Sequence, residues 1–246
     1  MNKPTHQDFL KAGVHLGHMT SKWNPKMRQF IYTQHKGTHI IDVHQAAMRL
    51  QKAAEIAQSL ASDGKKILFV ATKKQAKNLV REKAQKLGMP YVTERWLGGT
   101  LTNFVTIRKL LKKMVSGEKM MRSVTYQNMA KKEQLMIARD HKKLKKLLEG
   151  VADTTRLPAA IFVVDVAREA IAVREAKKLQ IPVIGIVDTN ADPSPIDYPI
   201  PGNDDAFRSI TLLVEAISNA IEKGLAQRKT HKSNAESDNP TASDRA

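Results

Sequence analysis

The sequence predicts a layered α/β fold with a parallel sheet of about five strands and an inserted pair of antiparallel helices. Short apolar runs alternate with amphipathic helical stretches along most of the chain. That alternation is typical of parallel strands joined by crossover helices. Residues 103–150 break it with apolar residues at helical spacing and a strong excess of cations. Together these observations predict a flavodoxin-like, or Rossmann-like, domain that carries a helical appendage.

Five apolar runs are predicted to form the strands. The runs at 66–71 (KILFVA) and 158–165 (PAAIFVVD) are continuous, as in parallel strands that are covered on both faces. Shorter runs at 39–43, 91–93 and 182–187 supply the other three strands. The order of strands and helices implies parallel pairing with right-handed crossovers.

Capping and stop signals place helices between the strands. Gly64 is expected to end the helix that follows the first strand, and residues 72–75 (TKKQ) open the next helix with a capping-box pattern. The last helix is expected to begin at Asp204 or Asp205 and to end at Gly224.

The stretch 103–150 carries two apolar seams at helical spacing. Their members are Phe104, Ile107, Leu111 and Met114 in the first segment and Ala130, Gln134, Ile137, His141, Leu144 and Leu148 in the second. Spacings that alternate between three and four residues are typical of paired helices. A break is expected at residues 116–118, and Gly150 is expected to end the second helix. We therefore predict an antiparallel coiled-coil hairpin with a thin core.

These patterns divide the chain into four parts, and a short helix is expected from Asp8 to Leu16 in the first of them. The parts are 1–36 as an N-terminal arm, 37–102 and 151–226 as the α/β domain, 103–150 as the hairpin, and 227–246 as a disordered tail. The tail is assigned as disordered because it is polar and has few large apolar side chains.

The net charge of +17 is concentrated in one part of the chain. The hairpin has thirteen Lys and Arg against four Asp and Glu, which leaves +9, whereas residues 151–246 have a net charge of −3. Like charges at helical neighbour spacing repel one another by roughly 0.2–0.5 kcal/mol per pair. A polyanion lying against the hairpin explains this excess, and the alternative explanation is a solvated charged face.

Cations in three places are the candidates for binding RNA phosphates. They are Lys22, Lys26 and Arg28 in the arm, Lys73, Lys74 and Lys77 at a predicted helix start, and Lys109, Lys112, Lys113, Arg139, Lys142, Lys143, Lys145 and Lys146 on the hairpin. The free amide groups at a helix start also suit a phosphate. In the arm, Trp23 and Phe30 either stack with RNA or anchor the arm on the core.

Composition and missing motifs exclude several classes of function. The chain has no cysteine, so it forms neither disulfides nor thiolate metal sites. It has no run of eighteen apolar residues and no apolar signal core, so neither a membrane span nor secretion is expected. The phosphate-loop pattern G-x-x-x-x-G-K-[ST] and the dinucleotide fingerprint G-x-G-x-x-G are both missing.

Two alternatives stay open for the acidic residues. A nucleotide-dependent enzyme is one, because Asp165, Asp188 and Asp205 are expected near strand ends, where such sheets bind ligands. A magnesium or zinc site is the other, because Asp188, Asp204 and Asp205 are expected to converge near His18. Helix-capping and turn roles explain the same acids without a ligand. We therefore predict no enzymatic activity, no cofactor and no small-molecule substrate, and leave metal binding undecided.

Several motifs occur in the order and spacing of one known family. They are residues 15–18 (HLGH), 23–27 (WNPKM), 40–42 (IID), 95–104 (RWLGGTLTNF), 157–165, 169–175, 182–188 and 198–206 (YPIPGNDDA). From about residue 8 to residue 224 the chain resembles the bacterial type of small-subunit ribosomal protein number two. Only the tail departs from the family pattern.

This resemblance implies a flavodoxin-like domain with a coiled-coil hairpin that sits on small-subunit ribosomal RNA, at the head–body junction on the solvent side. It implies a structural role in translation, in the cytoplasm and away from membranes. The partners it implies are the RNA and neighbouring small-subunit ribosomal proteins, including the large messenger-binding one.

Overall fold

The computed structural model describes residues 4–237. Its strands are β1 (Leu16–Met19), β2 (Ile31–His35), β3 (Thr38–Ile41), β4 (Ile67–Val70), β5 (Tyr91–Val92), β6 (Ala160–Val164), β7 (Val183–Val187) and β8 (Tyr198–Pro201). Its helices are α1 (His6–Ala12), α2 (Val43–Ser62), α3 (Lys74–Leu87), α4 (Phe104–Met121), α5 (Val124–Gln127), α6 (Lys131–Leu148), α7 (Ala170–Lys178) and α8 (Phe207–Ser237). Short 3-10 helices cover Thr20–Lys22, Pro25–Phe30 and Glu149–Val151.

A five-stranded parallel sheet forms the centre of the molecule, with strand order β5-β4-β6-β7-β8. Every residue of β4, β6 and β7 is buried, which explains why these strands are continuous apolar runs in the sequence. The predicted α/β fold and its strand count are therefore confirmed.

One member of the sheet differs from the prediction. Residues 38–41 form β3, which pairs antiparallel with β1 and β2 in a separate three-stranded sheet. The fifth strand of the central sheet is β8. It lies within residues 191–201 (ADPSPIDYPIP), a proline-rich stretch in which no strand is predicted. Pro199 and Pro201 fit there because β8 is an edge strand that pairs with β7 alone, and an edge strand tolerates the missing amide donors.

Helices cover both faces of the central sheet. One face packs on α2, α3 and α8 through side chains such as Leu50, Val80 and Leu213. The other packs on α7 and on the ends of α4 and α6 that adjoin the sheet, through side chains such as Val173 and Ile107. The inserted helices are therefore continuous with the core at their base.

Two helix boundaries correct the predictions at the ends of the chain. Helix α1 begins after Thr5, whose side chain forms a capping box with Asp8, and it stops at Gly13 with φ of 74°; Leu16 belongs to β1 instead. Helix α8 does not stop at Gly224, where an added Cβ would lie 2.3 Å from the Gln58 carbonyl oxygen. Glycine there permits close packing on α2.

The predicted disordered tail is therefore wrong for residues 227–237, which belong to α8. Residues 238–246 lie outside the described part of the chain. Helix α8 continues past Gly224 because its apolar face, up to Leu225, packs along α2 and α3, and packing of this kind overrides the weak stop signal of a glycine.

Two further helix starts differ from the predicted caps. Thr72 does not cap α3, because its amide and hydroxyl both donate to Glu169 Oε1. Lys73 occupies the N-cap position, and its side chain forms no capping hydrogen bond with the helix. At the start of α8, Asn203 Oδ1 accepts from the amides of Asp205 and Ala206, both at 2.8 Å. The aspartates are thereby left free for other partners.

Helices α4 and α6 lie side by side and run in opposite directions. Near the sheet, Ile107 and Leu111 share a cluster with Leu148, and farther out an added Cβ on Gly117 would lie 3.1 Å from His141 Cδ2. The predicted break at residues 116–118 is wrong, because α4 continues through them to Met121. The hairpin is thus present, and its coiled-coil supercoiling stays a prediction.

Contacts at the two ends of the hairpin explain Gln134, a polar residue within the apolar seam, and Gly150, a glycine at the base. At the tip, Gln134 Nε2 donates to the carbonyls of Tyr126 and Met129 at 2.9 and 3.0 Å, and the Tyr126 hydroxyl donates to the Gln134 carbonyl. At the base, an added Cβ on Gly150 would lie 2.1 Å from the Tyr91 carbonyl oxygen. Gly150 therefore permits a close approach to β5, and α6 has already ended at Leu148.

Within residues 4–237, no helix is both long and apolar enough to cross a membrane.

Candidate nucleic-acid interface

The cations of the hairpin all lie on its surface. All thirteen Lys and Arg between Arg108 and Lys146 are exposed. Three of them approach a carboxylate: Arg122 lies 3.1 Å from Glu118, Lys143 4.0 Å from Asp140 and Lys146 3.4 Å from Glu94. Across the described part of the chain, the remaining ten have no carboxylate within 4.0 Å. Their charge is therefore available to a partner.

The candidate cations recur every three or four residues on the outward faces of the two helices. Lys109, Lys112 and Lys113 follow this spacing along α4, opposite the seam of Ile107 and Leu111. Along α6 the same spacing places Arg139, Lys142, Lys143 and Lys146 away from the seam. Residues three and four apart share a helix face. Each helix thus presents a row of positive charge.

In the N-terminal arm, Trp23 and Phe30 are anchors rather than free stacking surfaces. Phe30 is buried, with the Arg49 guanidinium 5.5 Å from its ring centroid. Trp23 is half-buried, and its ring centroid lies 4.9 Å from that of His39. Of the two interpretations left open by the sequence, the structure therefore favours anchoring.

The three arm cations differ in what they contact. Lys22 and Arg28 are exposed and have no carboxylate within 4.0 Å among the side chains of residues 4–230. Lys26 forms an ion pair with Asp192 at 2.7 Å, although its side chain is still largely exposed. An exposed pair of this kind contributes about 0–1 kcal/mol, so a phosphate can compete for Lys26.

At the start of α3, Lys74 is the one predicted phosphate ligand of the three that has no carboxylate within 4.0 Å among the side chains of residues 4–230. Lys74 is exposed, and Lys77 lies 3.3 Å from Glu94. Lys73 is buried, and its Nζ lies 2.7 Å from Asp204, 2.6 Å from Asp205 and 3.3 Å from Asp165. Because the Lys73 ammonium is enclosed by carboxylates, its assignment as an RNA ligand is withdrawn.

Lys73, Asp165, Asp188 and the pair Asp204 and Asp205 come from four parts of the chain and converge at one place. Burial acts to lower the pKa of Lys73, but hydrogen bonds to Asp204 and Asp205 outweigh it and raise that pKa. Burial and the nearby Asp165 and Asp188 carboxylates raise the pKa of Asp204 to about 7. Four carboxylates here face one ammonium and one imidazole, which explains why a proton is favoured on one of the acids.

The predicted convergence of the aspartates with His18 is present. The Nδ1 of His18 lies 3.2 Å from Asp188, and the Nε2 of His18 lies 3.4 Å from Asp205. The hydrogen bond with Asp188 raises the pKa of His18. Ligand atoms of His18, Asp188 and Asp204 lie within 4.8 Å of one another, which is close enough to share a cation. The Lys73 ammonium and a proton shared among the acids already offset part of their charge, so a divalent ion is not needed to explain the arrangement.

Comparison with known proteins identifies the family. The family model for ribosomal protein S2 matches residues 9–224. The chain belongs to the ribosomal protein S2 family. Small ribosomal subunit protein uS2 of Amoebophilus asiaticus is 58% identical over 240 residues, which cover 98% of this chain and 76% of that protein. The protein of the same name from Cytophaga hutchinsonii is 52% identical over 248 residues, which cover 99% and 98%.

Membership of the ribosomal protein S2 family decides against the enzyme alternative, because this is a structural family without enzymatic activity. The acids at the strand ends also form hydrogen bonds within the fold. Asp165 accepts from the Arg168 amide at 2.9 Å, and Asp188 accepts from the amide and hydroxyl of Thr189. The resemblance seen in the sequence motifs is thereby confirmed.

Proposed function

We propose that this chain is a structural constituent of the small ribosomal subunit and that it holds ribosomal RNA through the basic hairpin. The observation that carries the proposal is the set of ten exposed hairpin cations without a carboxylate within 4.0 Å in the described residues. Such a surface repels itself until a polyanion neutralises it.

The proposed contacts are electrostatic and follow the shape of the RNA backbone. Lysine and arginine side chains on two neighbouring helices suit phosphate groups, which position a protein without reading bases. Neutralising each phosphate releases condensed counterions, so binding weakens steeply as salt rises. The RNA-binding set without a carboxylate partner is Lys22, Arg28, Lys74, Lys109, Lys112, Lys113, Arg139, Lys142 and Lys145. The other candidates, Lys26, Lys77, Lys143 and Lys146, join it where RNA displaces their carboxylate partners.

The remaining surface is assigned to protein neighbours. Residues 151–246 have a net charge of −3 and therefore favour partners other than RNA. The relatives are named as proteins of the small ribosomal subunit, and neighbours in that subunit are the proposed partners. The large messenger-binding protein is included among them, and the cytoplasm is proposed as the location, on the family resemblance alone.

A salt titration tests the proposal. The change is a fourfold substitution, Lys109→Gln, Lys112→Gln, Arg139→Gln and Lys142→Gln, and the probe is purified small-subunit ribosomal RNA. The slope of log affinity against log salt concentration is negative. If each of these cations meets one phosphate, the magnitude of that slope falls by about 3, so the line becomes shallower.

The matched control removes four exposed cations elsewhere, with Lys52→Gln, Lys178→Gln, Arg208→Gln and Lys223→Gln. Both variants lose the same charge, so a general charge effect lowers the two slopes equally. A hairpin interface lowers only the first, and equal slopes for the two variants would refute the proposal.

A further inference from the structure

We propose that Glu175, on α7, fixes the direction in which the hairpin leaves the sheet and is thereby a positioning residue for RNA binding. The sequence gives no sign of this role. The RNA-binding half of the inference rests on the proposed function, whereas the mechanical half does not.

The Glu175 carboxylate gathers the loop that precedes α4. Its Oε1 accepts from Trp96 Nε1 at 3.1 Å and from the Gly99 amide at 2.7 Å. Its Oε2 accepts from the Leu101 amide at 2.9 Å and from the amide and hydroxyl of Thr102 at 3.2 and 3.3 Å. A carboxylate has about four lone-pair positions, so these donors saturate both oxygens.

Hydrogen-bond donors, and no cation among the side chains of residues 4–230, hold the charge on Glu175. Its side chain is buried, and within that range no lysine, arginine or histidine nitrogen lies within 4.0 Å of it. Burial acts to raise its pKa, but the hydrogen bonds from Trp96 and the loop amides outweigh burial and lower the pKa. An anion kept in this way depends on the loop holding one conformation.

The loop itself is a tight turn that leads directly into α4. Gly99 has φ of 87°, and the Thr100 hydroxyl donates to the Leu97 carbonyl at 2.6 Å. The Asn103 amide donates to the Gly99 carbonyl at 2.9 Å, and α4 begins at Phe104. The left-handed turn at Gly99 lets the amides of Gly99, Leu101 and Thr102 point at one carboxylate, as in an anion-binding nest, while the Thr100 amide donates to the Leu97 carbonyl.

Apolar packing alone does not set the angle of the hairpin. Its base buries Ile107, Leu111 and Leu148, but burial of apolar surface is not directional, whereas hydrogen bonds require a narrow range of angles. Eighteen residues of α4 span about 27 Å. A rotation of about 10° at the base therefore displaces the tip by roughly 5 Å, which is enough to lose phosphate contacts.

The test measures the hairpin direction and RNA affinity on the same full-length protein. Because the chain has no cysteine, two substitutions give two unique sites for spin labels. They are Thr125→Cys at the tip of the hairpin and Lys52→Cys on α2, both at exposed positions. In the protein that carries these two labels and Glu175, we expect a narrow distribution of the distance between the labels. Glu175→Gln, which keeps the shape but places an amide against the donors, is expected to broaden or shift it.

RNA binding supplies the second readout. Glu175→Gln is expected to weaken affinity for small-subunit ribosomal RNA about tenfold with an unchanged salt slope, because every cation is still present. Glu82→Gln, an exposed glutamate on α3, is the control and leaves both readouts as in the parent. If Glu175→Gln does not fold, Trp96→Phe removes one of the five bonds and keeps an aromatic, although smaller, side chain, and a smaller broadening is expected.

The outcomes separate the two proposals. A distance distribution unchanged by Glu175→Gln, or already broad in the parent, overturns the positioning role even if the salt titration succeeds. A changed distribution with unchanged RNA affinity supports the role of Glu175 in orienting the hairpin and contradicts RNA binding by the hairpin.

Discussion

Lys73 lies where the ends of several parallel strands converge, and oxygens of Asp165, Asp204 and Asp205 surround its ammonium group at 2.6–3.3 Å. Removing one partner from a buried ionic cluster leaves the others without compensation, which costs more than the pair contributes when intact. We therefore expect Lys73→Met to lower the free energy of unfolding by about 3 kcal/mol, measured by urea denaturation at pH 7. Lys74→Met, at the exposed neighbouring position, should change it by less than about 0.5 kcal/mol; equal effects would mean that Lys73 is not part of the internal structure.

Glu175 gives a prediction about pH. Its pKa in the folded protein is lowered below the ordinary 4.5, so its ionised form contributes stability that is fully present above pH 4.5. This contribution is lost as the pH falls from there through the folded pKa. The parent should be more stable than Glu175→Gln at pH 7, and the difference should shrink in urea titrations below pH 4.5. A difference that stays constant between pH 7 and pH 3 would contradict the ionised state of Glu175.

Lys73 and Glu175 also show where sequence patterns stop being informative. A cation at a helix start predicts phosphate binding when only its neighbours in sequence are considered, but the acids that enclose Lys73 lie more than ninety residues away. The donors to Glu175 are mostly backbone amides, whose directions no residue type encodes. The exposed hairpin cations were predictable because their count and spacing are local properties.

At the scale of elements, the hairpin is divided between core and appendage. Its proximal part shares a buried cluster with the sheet through Ile107, Leu111 and Leu148, whereas no side chain between residues 115 and 147 is buried. Residues 103–150, which the sequence pattern sets apart from the α/β domain as a hairpin, therefore belong to the buried core at their base.

Two deletions test this division. Replacing residues 116–139 with about four Gly and Ser residues, a usual length for a turn between antiparallel helices, should leave the urea midpoint close to that of the parent. Removing residues 104–150 strips buried side chains from one face of the sheet and should destabilise the protein by several times the roughly 1 kcal/mol typical of a point mutation. Equal midpoints for the two deletions would show that the base is not part of the core.

Sequence patterns located the buried strands and the hairpin but not every partner. β4, β6 and β7 were predictable because strands buried on both faces are apolar throughout. β8 was not, because its prolines indicate a loop until its place at the sheet edge is known. Residues 38–41 have strand character, yet β pattern alone does not tell which sheet a strand joins.

For the whole molecule, the distribution of charge is the main functional feature. Positive charge gathers on the hairpin and the arm, while residues 151–246 are mildly acidic. The fold separates these regions, because α8 lies on the opposite face of the sheet from the hairpin base. We infer a molecule with one side for RNA and another for proteins.

Chemical cross-linking of small ribosomal subunits that contain this chain, followed by mass spectrometry of RNA-linked peptides, tests this account most directly. Nucleotide adducts are expected on peptides from residues 104–148 and on the arm around Lys22 and Arg28, and few are expected on α2 or α8. Adducts concentrated on α2 and α8 with none on the hairpin would contradict the claim that the basic hairpin binds the RNA.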